Sequence, residues 1–456
     1  MYPCIQATQA INPASDFDHY FAGGRKPASQ WKIGSEVEFF GFDRRTLERI
    51  SPETIQRIIE GFSPETASLE TENDFVIEAS LTRPESENID SAASNQWGRL
   101  TLEPGGQVEF SSRPHRSLVA LESSLRIFTD RLRDTGRSQN VIFTATGFDP
   151  VRGISEQKWI PKRRYSIMRP YLASRGRRAW DMMCRTAAVQ VHFDYSDIED
   201  LARKFRLANR LGPVAAAIFA NSPFEAGQLS GYKSTRYAAW LETDPDRTGL
   251  SPLGLTDEFS TVRFLDYISK VPMFFIRRDG NYIDYTGHSF GEFIAGCGCP
   301  ERAIFQDFTD HLTTIFTEAR LKPHIEQRSI DSCSLNLTMA AMAFWKGLMY
   351  SADALDQALA IAPRLTAHEF AELQLEVARR GLDAEACGVS VIKIAQSMIE
   401  LARAGLEDMA SDETHFLDAL DQMTIRERIC PADILIRNFE GLWNRDARNA
   451  IDYLEI

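Results

Sequence analysis

Four short segments of this chain repeat one pattern, two polar side chains at positions i and i+2 with apolar residues between and beside them. The pairs are Glu36/Glu38, Gln107/Glu109, Gln190/His192 and Glu326/Arg328. A β-strand sends successive side chains to opposite faces, so this spacing puts both polar groups of a pair on one face. Val37 and Phe39, Val108 and Phe110, Val189 and Val191, and Ile325 then occupy the other face. The pattern predicts a sheet that is greasy on one side and polar on the other. A half-exposed sheet alternates in the same way, which is the plain reading of any single pair. The identity of the polar residues argues for more: Glu36, Glu38, Glu109 and Glu326 are carboxylates, His192 is an imidazole, and Glu103 lies close by in the chain.

Carboxylates gathered on one face raise each other's pKa unless a cation neutralises them. Hard oxygen ligands with one imidazole suit Mg²⁺ or Mn²⁺, whereas a zinc site usually shows compact Cys/His spacing that this chain lacks. Mg²⁺ in turn commonly bridges to nucleotide phosphates. Pro104-Gly105-Gly106 supplies a turn that swings Glu103 and Glu109 around one corner, although a hairpin turn without a role would look the same.

The 456 residues are enough for two to four domains. Strands are expected over residues 32–42, 100–111, 141–146 and 187–195. A helix is expected over residues 117–133, where Leu118, Leu121, Leu125 and Leu132 share a face. Residues 197–220 read as helix interrupted at Gly212-Pro213. Residues 274–285 read as a hairpin turning at Asp279-Gly280, and the polar stretch 83–96 as a loop. From about residue 336 the spacing is helical to the end. The fold class is therefore α+β, divided into a chemistry-bearing part at residues 1–350 and a helical region at 351–456.

A net charge of −13 opposes general binding to nucleic acid or to anionic membrane. Residues 214–220 form the longest obvious apolar run, far short of a membrane span. Seven widely spaced cysteines make no disulfide framework, and no secretory signal is evident, so a reducing cytoplasm is expected.

Several longer segments resemble plant-type glutamate–cysteine ligases. They are GRKPASQWKIGSEVEFFGF at 24–42, LTLEPGGQVEFS at 100–111, MMCRTAAVQVHFDYS at 182–196, FANSPF at 219–224, DRTG at 246–249 and HLTTIFTEARLKPHIEQRSID at 311–331. Their order agrees across roughly residues 20–350, which is more specific than any one motif. The resemblance implies a glutamine-synthetase-like curved antiparallel sheet holding metal and ATP on one face. It also implies joining of the glutamate γ-carboxylate to the cysteine amine through an acyl phosphate. On that basis Glu36, Glu38, Glu103, Glu109, His192 and Glu326 would hold metal, and Arg328 with Glu326 would serve the phosphoryl transfer. Arg320 and Lys322 would contact ATP. Arg236 would bind the glutamate carboxylate, Gln190 and Asn221 would touch substrate, and Trp240 would line the acceptor pocket. The partners implied are small molecules: glutamate, cysteine and ATP.

The chain also departs from the plant pattern. His192 stands where plant enzymes typically carry Asn, and VHFDYS and HIEQRSID look closer to proteobacterial members. The plant redox-switch cysteine pairs are not recognisable. An acceptor other than cysteine remains the alternative within the class. From other classes, Gly287-His288-Ser289-Phe290-Gly291 fits the G-x-S-x-G elbow of serine hydrolases, but the amphipathic segment before it does not suit that elbow. Residues 157–180 hold eight Lys/Arg interleaved with Trp159, Tyr165, Tyr171 and Trp180. They read as a solvated face, a nucleic-acid groove, or an attractor of anionic substrates; the last is preferred.

Overall fold

In the computed structural model, which describes residues 10–11, 13–62, 66–82 and 96–456, the alternating segments are neighbouring strands of one nine-stranded sheet. The strands are β1 (Ile33–Asp43), β2 (Thr66–Glu72), β3 (Phe75–Thr82), β4 (Gln96–Leu102), β5 (Val108–Ser112), β6 (Val141–Thr144), β7 (Ala188–Phe193), β8 (Ala319–Leu321) and β9 (Ile325–Asp331). Their order is β8-β9-β7-β1-β5-β4-β3-β2, with β6 paired to the far half of β1, and every pairing is antiparallel. The fold is α+β.

Register places the polar face. Glu38 lies opposite Glu109, Glu36 opposite Gln190, and His192 opposite Glu326, which in turn faces Arg320. Directly opposed residues share a face, so the i, i+2 pairs of four strands merge into one polar surface. The register of β9 shifts between Gln327 and Ile330. Such a bulge re-aims side chains locally, and Arg328 sits within it.

The other face carries the core. Val37, Val108 and Phe110 are buried against the helix Leu118–Ser138, where the Phe128 ring stacks on Phe110 at 4.3 Å. That helix starts where the Ser117 hydroxyl accepts the Val119 N–H. Emptying the Phe110 site with alanine would cost about 3–5 kcal/mol. Further along the same face, Phe193 stacks on Trp345 of the helix Leu335–Tyr350. Helix Val391–Asp408 then crosses that one so closely that a Cβ on Gly347 would lie 2.1 Å from the Ala402 carbonyl oxygen. The apolar core thus continues without a break across residue 350.

The expected strand at 100–111 is in fact two strands, β4 and β5, folded back at Pro104-Gly105-Gly106. Gly106 has φ +79° and its N–H donates to the Glu103 carbonyl, a conformation in which a Cβ would be strained. The helix expected at 197–220 breaks into Ile198–Arg210 and Gly212–Ile218. The hairpin forms as Phe275–Arg278 and Asn281–Asp284, with Asp279 and Gly280 both at positive φ. Residues 83–95 of the expected loop lie outside the described residues. Among the described residues no helix is long and apolar enough to cross a membrane.

Candidate active site

A cavity of about 440 Å³ lies over the polar face of the sheet, roofed by the helix Tyr165–Arg175, the short helix Thr235–Leu241 and the hairpin at 275–284. Its lining includes seven glutamates and eight Lys/Arg side chains. A chain of net charge −13 therefore presents a nearly balanced cavity, in which acids and bases lie close together, as in the Arg99–Glu78 pair at 3.0 Å.

The acidic side is built on β1, β5 and the turn before β5. Glu38 accepts the Ala188 N–H at 2.8 Å, and Glu109 accepts the Thr101 hydroxyl. Burial and then the neighbouring Glu103 push Glu38 up to about 8. Burial, followed by Glu36, Glu103 and Glu38, raises Glu109 well above the carboxylate range. A protein meets such crowding either by taking protons or by taking a cation. His192 sits at the edge of this group with its Nε2 3.8 Å from a Glu36 oxygen, buried and without a hydrogen-bond partner among the described residues. Burial holds its imidazole down to about 4, so it is neutral at physiological pH, the form that ligates metal. Oxygen-rich donors, two of them destabilised as anions, plus an orphaned neutral imidazole fit a hard divalent cation.

The basic side is built on β8 and β9. Glu326 is wholly buried and ion-paired to Arg320 and Lys322, with Arg328 at 3.6 Å and His324 at 3.5 Å. Burial opposes its ionisation, but Arg320 and Lys322 outweigh that and hold the carboxyl well below the usual range. Arg328 donates to the Gln190 side-chain oxygen. Burial and then Arg320 lower Arg328 to about 10, which leaves it charged at neutral pH. Arg236 donates to the Arg328 carbonyl at 2.8 Å and to the Ser329 carbonyl at 3.3 Å, so one arginine fixes the backbone bearing the other. Its Nε and the Trp240 Nε1 are buried without partners among the described residues. Both residues, with Phe316 and Arg328, border a further hollow of about 20 Å³.

The family model described as glutamate-cysteine ligase family 2 (GCS2) matches residues 32–452. The chain belongs to this family. Among relatives of this glutamate–cysteine ligase family, glutamate–cysteine ligase B, chloroplastic, of Oryza sativa subsp. japonica is 35% identical over 448 residues, covering 97% of this chain and 88% of the relative. The chloroplastic enzyme of Arabidopsis thaliana is 34% identical over 450 residues, covering 97% and 83%. A crystal structure of the Francisella tularensis glutamate–cysteine ligase in complex with AMP superposes with a TM-score of 0.53 at 10% identity, covering 93% of this chain and 87% of that one. At that identity the likeness concerns the fold alone. The expected cytoplasmic location is overturned by the curated relatives, which are chloroplastic enzymes.

Of the residues singled out from the sequence of this ligase-family chain, Glu36, Glu38, Glu103, Glu109, Gln190, Arg236, Trp240, Arg320, Lys322 and Arg328 all line the one cavity. Asn221 is a correction. It lies beside Val37 and Phe39, on the apolar side of the sheet, and its side-chain amide donates to the Ala145 and Ser332 carbonyls at 3.0 and 2.8 Å. It ties loops together on the side of the sheet away from the cavity. Ser289 is occupied as well, in a helix cap: its hydroxyl donates to the Glu292 carboxylate and accepts the Glu292 N–H, which leaves no free nucleophile. In the basic stretch, Lys162 and Arg164 line the cavity, whereas Arg169 is held between the rings of Trp159 and Trp180.

Glu70, Glu72, Glu78, Arg99, Arg277 and His324 are site residues that sequence reasoning passed over. Glu70/Glu72 and His324/Glu326 repeat the i, i+2 signal. The turn Asn73-Asp74, both at positive φ, is the hairpin mark that would have revealed β2 and β3.

Proposed function

We propose that this cavity is the active site of an ATP-dependent ligase joining the γ-carboxylate of L-glutamate to the amine of L-cysteine, with γ-glutamylcysteine, ADP and phosphate as products. The observation that carries this reading is the coincidence of a family match over residues 32–452 with one cavity lined by seven glutamates and eight Lys/Arg side chains, a mixture suited to two anions and their counter-cations.

A carboxylate does not condense with an amine in water because hydroxide is a poor leaving group. The γ-carboxylate oxygen attacks the γ-phosphorus of ATP, ADP departs, and γ-glutamyl phosphate forms. The cysteine amine then displaces phosphate and loses a proton. Glu36, Glu38, Glu103, Glu109 and His192, with Glu326, would hold Mg²⁺ or Mn²⁺. When bound, the metal offsets phosphate charge. Arg328, oriented by Gln190, offers a planar fork to the transferred phosphoryl group. Arg236 would take the glutamate carboxylate, while Arg320 and Lys322, with Lys162 and Arg164, would attract the nucleotide phosphates. Trp240, which borders both the cavity and the small hollow beside Arg236, would wall the acceptor side. On this reading residues 1–350 carry the chemistry, and 351–456 buttress it: Gln374 of helix Ala367–Arg380 hydrogen-bonds Glu318 and the Tyr237 hydroxyl beneath Arg236.

The test is phosphate release from ATP with glutamate and a panel of amines, with and without Mg²⁺. Metal-dependent turnover with glutamate and cysteine is expected. Turnover with another amine and none with cysteine would overturn the acceptor, and no glutamate-dependent release with any amine would overturn the ligase.

A further inference from the structure

We propose that a second large cavity, on the apolar side of the sheet, binds a small amphipathic carboxylic acid with its apolar body inward and its carboxylate at the mouth. This site goes beyond the ligase reading and does not depend on it. The cavity measures about 420 Å³, close to the 440 Å³ of the one over the polar face. Close packing leaves few such spaces in a protein, and small-molecule sites fall at about 300–1,000 Å³.

Strand β1 separates the two cavities. Val37 and Phe39 line this one, whereas Glu36 and Glu38 line the other, as the period of two requires. Leu125 of helix Leu118–Ser138 and Leu337 of helix Leu335–Tyr350 extend the apolar wall. Ile434 and Leu435 of helix Pro431–Glu440 complete it from the C-terminal region. An apolar ligand body fits this lining without stranding a polar group.

Charge at the mouth selects the head group. Arg126 and Arg133 border the cavity, partly exposed and seven residues apart, hence on one face of their helix. Their partners, Glu122 and Asp130, come from the same helix, and each contact is made through a single nitrogen, Nη2. Further N–H donors remain on both guanidinium groups. Exposed pairs of this kind are worth little, so a ligand carboxylate joins or replaces the helix acids at small cost. An ammonium head is less well served. The two acids in the lining, Asp130 and Glu455, are held by Arg133 and Arg44, so a second cation there would sit beside a guanidinium.

The experiment is calorimetric titration of octanoate into full-length protein, with 1-octanol as the neutral counterpart. Wild type is expected to bind one equivalent of octanoate, and octanol at least about tenfold more weakly. The double variant Arg126→Gln/Arg133→Gln should lose about tenfold in octanoate affinity and bind octanol unchanged. Ile434→Trp fills the cavity from the side of the sheet opposite the glutamates, and should abolish binding of both. Thermal melts establish that this variant is folded; the arginine variant alters only partly exposed side chains and tests the proposal without it. Octanoate affinity equal in wild type and the arginine variant, or equal to that of octanol, would overturn the carboxylate assignment. Undiminished binding to folded Ile434→Trp would overturn the site. Sedimentation velocity tests the other occupant: a dimer dissociated by octanoate or by Ile434→Trp would mean that a second copy of the chain covers the cavity, and would overturn the small-molecule reading.

Discussion

Glu38 and Glu109 face each other directly across β1 and β5, the first buried and the second half-buried, and both are pushed above the ordinary carboxylate range. They end a row that runs Glu70, Glu78, Thr101, Glu109, Glu38 across five strands. Such an arrangement costs stability unless protons or a cation offset the crowding. Glu109→Gln removes one ionisable carboxyl from this crowded row while keeping shape. It is expected to raise the melting midpoint of chelator-treated protein by roughly 2–4 °C and to lower ligase turnover about 100-fold or more. Added Mg²⁺ should stabilise wild type more than the variant. A variant that melts lower than wild type in chelator, or turns over normally, would remove Glu109 from the metal group.

Lys162 gives the cavity a pH dependence of definite sign. Burial and then Arg164 push its ammonium down to about 8, so it is charged below that pH and neutral above it. Nucleotide affinity is therefore expected to fall as pH rises from 7 to 9, on the order of tenfold for one lost charged contact. Lys162→Arg keeps its charge across this range and should flatten the fall. Equilibrium binding of ATP measured across pH checks it; parallel profiles for the two proteins would show that Lys162 is not responsible.

The period-two alternation made β1, β5, β7 and β9 legible, because each strand half-buried in a sheet must sort its side chains by face. It also made the polar face legible as a candidate site, since Glu38 and Glu109 could share a face only in that register. What alternation cannot reveal is what arrives from the roof. Arg277, Tyr282 and Phe275 reach the cavity from a hairpin whose own turn was readable but whose docking depends on tertiary contacts such as the bidentate Arg277–Asp310 pair. Nor does motif order distinguish a residue that meets substrate from one that braces the loop beside it. Asn221 lies in a family-like motif, yet it is two backbone carbonyls on the far side of the sheet that it satisfies.

Asn221 consequently has a structural signature. Asn221→Ala strands the Ala145 and Ser332 carbonyls, at a cost of about 1–3 kcal/mol for each buried group left unpaired. Lower stability in denaturant melts is expected, with the KM for glutamate unchanged in the folded protein. A raised KM at unchanged stability would return Asn221 to the substrate.

Arg328 carries the sharpest kinetic expectation. It sits in the β9 bulge, donates to Gln190, stands 3.6 Å from Glu326, and has its own carbonyl held by Arg236. Each of these contacts fixes the direction of the guanidinium and not merely its charge. Lysine keeps the charge but lacks the fork, so it reproduces attraction for the ground-state phosphate while losing the paired donors that meet charge spreading over the phosphoryl oxygens. Arg328→Lys is expected to lower kcat about 100- to 1,000-fold with far smaller changes in the KM for ATP and glutamate. Gln190→Leu removes the acceptor that orients Arg328 together with the amide donor 3.5 Å from Glu38, and its loss in kcat should be smaller and of the same kind. Steady-state kinetics of both variants separate the cases: a rise in KM with kcat preserved in Arg328→Lys would make Arg328 a ground-state binding group, and a Gln190 variant more impaired than Arg328→Lys would reverse their order.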